Sequence, residues 1–207
     1  SYFFLSPLTI VWNSLRFALA TVVISVALGT IVSYFLARKG RRGMGFADAL
    51  FMLPLGVSAV ILGYGFLISL NRPPLDLRAS WVILVIAHSL LAYPFVIRSI
   101  LPVLRGVNPN LREAAAMLGA SPVRTFVSID IPIVSRALMV GATFAFAISM
   151  GEFGASLLLV RPEFTTIPVA IFRLLSQPGG EKLGEALAMS SLLMAVVAMG
   201  FIAIERF

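Results

Sequence analysis

Cysteine is absent from all 207 residues, which excludes a disulfide framework and thiolate-ligated metal. Histidine occurs once, at His88, so a multi-histidine metal centre within the chain is excluded and no metal site is expected. Charge is scarce as well: 12% of the residues are Asp, Glu, Lys or Arg, where a soluble domain carries about 25%. Such a chain cannot cover a globule with polar surface. Hydrophobic residues make up 59% and mean hydropathy is +1.01, so lipid is the expected solvent for most of it. No G-x-x-x-x-G-K-[ST] phosphate loop occurs, and Gly43-Met44-Gly45 lacks the lysine that such a cradle needs. Paired acids, a Ser-Lys dyad and a His cluster at helical spacing are all missing, so neither an enzyme nor a cofactor is expected.

What the chain does have is long apolar runs. A spanning helix needs about 20 mostly apolar residues, and five stretches qualify: about 17–37, 46–70, 81–103, 137–160 and 186–204. The expected fold is therefore all-α, a polytopic membrane bundle of five helices forming a single domain over 1–207. Pro54 and Pro94 lie inside spans, and lipid tolerates the carbonyls they free only where neighbouring helices or water satisfy them. Gly141, Ala142, Ala145, Ala147, Gly151, Gly154 and Ala155 in the fourth span permit close helix approach. The chain opens on Ser1-Tyr2-Phe3-Phe4, without an initiator Met or a visible signal peptide, and reads as an excerpt from a longer one.

The net charge of +7 sits at the ends of apolar runs, where basic residues orient a protein against the bilayer and need no nucleic acid to explain them. Arg38, Lys39, Arg41, Arg42, Arg98, Arg105, Arg112, Arg124 and Arg136 gather on one side; Arg72, Arg78, Arg161, Arg173 and Lys182 on the other. The richer side is expected in the cytoplasm, with the N-terminus outside and the C-terminus inside.

One polar segment hangs between the third and fourth spans, at 108–132. Asn108-Pro109 reads as an N-cap followed by proline at the first helical position. Good helix formers run to Leu118, and Gly119 suits the left-handed residue that ends the helix. Ser121-Pro122 repeats the cap and starts a second short helix, expected to end near Pro132. The first helix would offer Ala114, Ala115 and Leu118 as an apolar knob, with Arg112 and Glu113 at its rim. An amphipathic helix on the bilayer surface is the alternative, but alanines stand where large apolar anchors would be needed.

Glu113-Ala114-Ala115, Gly119 and Ile129-Asp130-Ile131-Pro132 resemble the "EAA" loop of binding-protein-dependent ABC importer permeases, with Ile in place of the usual Leu before the proline. The resemblance covers nearly the whole chain, from Asn13-Ser14-Leu15-Arg16 onward. It implies the type I, MetI-like permease core, a bacterial or archaeal inner-membrane location, and four partners: ABC ATPase subunits, an external solute-binding protein, a second permease half or copy, and lipid. Glu113, Ala114, Ala115, Gly119 and Pro132 are then the ATPase-coupling residues. Gly151-Glu152-Phe153-Gly154-Ala155 resembles the molybdate, sulfate, iron(III) and thiamine branch. Thr165-Thr166-Ile167-Pro168-Val169-Ala170-Ile171 looks most like its iron(III) and thiamine members, which sets the expected substrate, with molybdate or sulfate behind.

Gly151, Glu152, Phe153 and Gly154 are the pathway or gate candidates. Glu152 is expected mid-helix, where an acid costs about 2.5–3.5 kcal/mol on insertion scales; lining a path and making a structural hydrogen bond both remain open. Beyond it, Thr166 should cap a short external helix whose stripe is Ile167, Ile171, Leu174 and Leu175, packed on the bundle or lying in the interface. His88 is expected as a hydrogen-bonded bundle residue. The rival function is an ATP-independent channel or secondary transporter, which leaves the 108–132 segment without a purpose.

Overall fold

The computed structural model describes residues 5–37, 44–70, 77 and 80–205. The basic run 38–42, Gly43, Arg72, Arg78 and Arg206 lie outside the described residues. Among the described residues the chain is helical and contains no strand.

Three long helices build the centre: α1 (Pro7–Ala37), α4 (Val82–Gly106) and α7 (Ile131–Gly151). Each packs on the other two. In α1 the seam is written at every fourth residue: Asn13, Phe17, Thr21, Ser25, Gly29, Ser33 and Ala37 are all buried. Positions four apart share a helix face, and small side chains there bring backbones close, which is how helices attract one another in lipid. At Gly29 a Cβ would lie 2.6 Å from Val96 Cγ1, and at Gly141 3.1 Å from the same atom. Val96 thus fills the notch that two glycines leave between α1 and α7. Helix α4 is the most enclosed, with Val96, Ile97 and Ile100 fully buried; it holds Pro94 and Pro102 without interruption.

The second expected span, 46–70, is two helices. Helix α2 (Met44–Met52) passes through a tight turn at Leu53–Gly56 into α3 (Ala59–Ser69), and the two halves meet at 96°. Pro54 stands in that turn; its missing N–H and fixed φ suit the start of a new helix better than the interior of an old one. The fourth expected span, 137–160, also differs. A continuous helical stretch runs from Pro122 to Gly151, then breaks at Glu152-Phe153 and resumes as α8 (Gly154–Leu159). The expected helix end near Pro132 is not found. The chain passes through α6 (Pro122–Thr125) and one wide π turn (Phe126–Asp130), where the Ile131 N–H donates to the Phe126 carbonyl, directly into α7. Pro132 follows that turn and has no N–H for the next helical bond, so the widened turn absorbs the mismatch.

After α8 come a turn at Pro162–Phe164, α9 (Ile167–Leu175) and α10 (Gly180–Glu205). Helix α10 leans on α9 and α7, yet only 6% of its apolar stretch is buried within the chain. Leu183, Leu187, Met194, Met199 and Ile202 are exposed, as they should be only where lipid or another protein surrounds them. Among the described residues four helices are long and apolar enough to cross a membrane, five with the bent α2–α3 pair counted as one span.

Candidate functional site

At the end of the bundle where α1 and α4 finish and α7 begins, α5 (Pro109–Met117) and α6 project from the body. Their geometry is local. The Asn108 carboxamide oxygen accepts from the Asn110 N–H at 3.0 Å, and Ser121 Oγ accepts from the Arg124 N–H at 3.3 Å. Between the caps, Gly119 adopts φ +77°. Its N–H donates to Ala116 O and the Ala120 N–H to Ala115 O, each at 2.9 Å, the paired bonds that close a helix over a left-handed residue.

Of the expected apolar knob Ala114 and Leu118 are open, and Met117 extends the exposed surface. Ala114 is exposed and Ala115 half-buried, while Met117 and Leu118 stand 90% and 88% exposed, with Leu111 and Val123 beside them in sequence also open. Met117 was not foreseen, although it adjoins Leu118. Glu113 is exposed. Arg112 is half-buried and reaches Asp130, at 2.9 Å. Pro132 is exposed and lies at the base of α7, set apart from the α5 surface in the chain's path.

The Gly119 turn yields a sharp test. A Cβ there would meet nothing within 4 Å, so the cost of substitution is conformational alone, about 1–2 kcal/mol for an L-residue in the left-handed region. Gly119→Val should loosen α5 and raise its cleavage by a mild protease several-fold, while Gly119→Asn should leave it near wild type. Equal cleavage of the two variants would refute the turn's role.

At the opposite end the pathway candidates divide. Gly151 is exposed, Phe153 and Gly154 are half-buried, and Glu152 is buried. Glu152 is not mid-helix: it occupies the break itself, where its carboxylate oxygens accept from the N–H groups of Ala155 at 2.9 Å and Ser156 at 3.0 Å. A carboxylate at that place satisfies donors that the first turn of any helix leaves without partners. His88 joins the cluster from α4: Nδ1 is 2.8 Å from Ser149 Oγ, and Nε2 is 2.8 Å from Ser156 Oγ and 3.5 Å from Glu152. Ser149 also donates to Thr21 of α1 at 3.3 Å. One buried polar network therefore ties α1, α4, α7 and α8 at the break. Thr21, Ser149 and Ser156 escaped sequence reasoning; the four-residue stripe on α1 was the available sign for the first.

The two ends of the motif-bearing sequence also meet. Asn13 Nδ2 donates to the carbonyls of Glu163 and Thr165, at 3.0 and 3.3 Å, and Ser14 Oγ accepts from the Ile167 N–H at 2.9 Å. Ser14 thus performs the capping expected of Thr166, whose hydroxyl is buried without a partner among the described residues. Helix α9 buries Ile167, Val169, Ala170 and Leu174, whereas Leu175, expected in the stripe, is 55% exposed.

A family model described as "Binding-protein-dependent transport system inner membrane component" matches residues 23–205. The chain belongs to that family. The permease is 32% identical over 200 residues to the molybdenum transport system permease protein ModB of Escherichia coli K12, covering 90% of this chain and 87% of ModB. It is 25% identical over 193 residues to the putative 2-aminoethylphosphonate transport system permease protein PhnV of Salmonella typhimurium, covering 93% and 72%. Over 147 residues it is 34% identical to the molybdate/tungstate permease WtpB of Pyrococcus abyssi, covering 71% and 58%. It is a multi-pass, all-α membrane permease of the ABC importer class, related to the molybdate permeases.

Proposed function

We propose that this permease forms one half of the translocation path of a type I ABC importer, with a cytoplasmic ATPase seated on α5 and α6. The observation that carries the reading is the projecting apolar surface of Leu111, Met117, Leu118 and Val123, shaped by two caps and the Gly119 turn. Large apolar side chains that open cannot be accounted for by lipid alone, since the helices that bear them stand beyond the bundle and are interspersed with Arg124, Glu113 and Asn110. A protein partner buries them. The charge pattern supports a cytoplasmic position for this end, with the N-terminus of α1 outside. A second half completes the path, and rocking of the two halves alternates access.

The expected iron(III) or thiamine substrate finds no support among the relatives, whose names put molybdate ahead of it. We therefore assign a molybdate-like tetrahedral oxyanion, delivered by an external binding protein. The Glu152–His88 network serves as the fixed joint behind the gate, since both residues are buried and engaged with protein groups.

The test is ATP hydrolysis in nanodiscs, with the cognate ATPase and binding protein present. Binding protein loaded with molybdate should stimulate hydrolysis, and Leu118→Asp or Glu113→Lys should abolish the stimulation with the permease still folded. A hot-spot loss of about 2–4 kcal/mol predicts an ATPase affinity ~30- to 1,000-fold lower. If no ATPase binds the wild-type permease, the channel reading replaces this one; stimulation by iron(III)-loaded protein alone would restore the other substrate.

A further inference from the structure

We propose that Arg112 and Asp130 form a strut that makes α5 and the base of α7 move as one body, so that a displacement of α5 reaches the membrane helices instead of being lost at a hinge. The proposal rests on the reading of α5 as the ATPase seat.

Among the described residues, α6 is the one element with which α5 shares a substantial face. The chain joins α5 to α4 through Val107 and Asn108 only. A short helix on such a joint would pivot when pushed. Arg112 closes the other side of the triangle. Its Nε and Nη2 both donate to Asp130 Oδ1, at 3.0 and 2.9 Å. The guanidinium also lies over the Tyr34 ring, 5.9 Å from its centroid, and Tyr34 meets the edge of Phe126 at 5.2 Å. One side chain thus connects α5, the end of α1 and the turn that starts α7.

Stability does not account for this arrangement. Asp130 is fully buried and its Oδ2 has no hydrogen-bond partner among the described residues. The Arg112 side chain keeps 32% of its surface exposed, so the pair sets the full desolvation of one carboxylate against a partner still shared with solvent, a poor exchange for stability. What the pair does supply is geometry. Two N–H groups of one rigid guanidinium plane converging on a single fixed oxygen restrain direction as well as distance, whereas apolar contacts slide. The far end of α7 is tied to α4, because His88 Nδ1 of α4 lies 2.8 Å from Ser149 Oγ of α7. Helices α4 and α7 with α5 across their base therefore make a frame, about 27 Å tall from Ile131 to Ser149 at 1.5 Å per residue.

The absence of cysteine permits spin labels at Asn110→Cys and Arg136→Cys, both exposed, in the complete complex with ATPase and binding protein. With the pair intact, the label-to-label distance should stay the same with and without ATP. In Arg112→Ala/Asp130→Ala, which leaves neither charge stranded, the distance should broaden on adding ATP. Solute moved per ATP should fall roughly tenfold, the size of a typical coupling free energy, while the ATPase co-purifies as before. An unchanged distance and unchanged solute per ATP would overturn the strut. Loss of the ATPase from this variant alone would also overturn it, since Arg112 would then serve docking itself. Failure of the wild-type permease to hold an ATPase would instead overturn the docking reading. If the double variant does not fold, Arg112→Lys keeps the charge without the fork and should show the same broadening; wild-type distances in it refute the proposal.

Discussion

Gly63→Val should lower the melting temperature of the detergent-solubilised permease sharply, while Gly65→Val, two residues along the same helix, should leave it nearly unchanged. A Cβ on Gly63 would lie 2.8 Å from Ala155 Cα and 3.2 Å from the Ala155 carbonyl oxygen; one on Gly65 would meet nothing within 4 Å. Helix propensity alone favours both substitutions, by at most about 1 kcal/mol. Overpacking opposes it at Gly63 by about 1–3 kcal/mol, or more where backbone must yield, and Ala155 presents backbone. The clash therefore wins. Gly154 answers from the other helix, with Ala59 Cβ and Val60 Cγ2 each 3.1 Å from where its own Cβ would stand. Helices α3 and α8 are thus held at backbone contact by one glycine from each. Displacing α8 also pulls Ser156 away from His88, so transport should be lost along with stability. Equal melting of the two variants would show that α3 and α8 do not pack this way.

Glu152→Ala is expected to be the more damaging of two substitutions at the break, and Glu152→Gln the milder. Alanine strands the N–H groups of Ala155 and Ser156, and a backbone donor without a partner in lipid costs several kcal/mol. Some of that is recovered by relaxation, so a loss of about 3 kcal/mol is expected. Glutamine keeps one acceptor oxygen in place and should lose only about 1 kcal/mol. Thermal unfolding in detergent orders the three proteins, and transport in proteoliposomes should follow the same order. If glutamine abolishes transport while melting like wild type, Glu152 acts through its charge in the pathway and its capping role is secondary.

The contact of Gly63 with Ala155 was out of reach of the sequence because its partners are far apart along the chain; the Glu152 bonds are local, to Ala155 and Ser156, and what stayed hidden there was the helix break that turns the carboxylate into a cap. The α5–α6 turn was legible because its bonds are local: Asn108 to Asn110, Gly119 to Ala116, Ser121 to Arg124. Capping chemistry depends on residues two to four apart, so residue type at fixed spacing is enough. Membrane spans were legible for a similar reason, since apolar length needs no partner. Where a span bends was not. Pro54 and Glu152 were visible, but a proline or acid inside an apolar run is compatible with a straight helix supported by its neighbours as well as with a break.

The sequence by itself determined that this protein lives in lipid, that its apolar runs are long enough for about four or five crossings, and that a capped helix–glycine–helix stands outside the bundle. Tertiary structure alone decided what the buried polar residues do. Asn13 finds its acceptors 150 and 152 residues away, His88 finds Ser149 and Ser156 at 61 and 68, and Arg112 finds Asp130 at 18. A polar group in an apolar bundle must be paired, but many donors and acceptors could pair it, and the choice follows from which helix faces touch. Those faces are selected by small residues packing on one another at van der Waals range, as Gly29 and Gly141 do on Val96, a property of shapes in contact that no single segment carries.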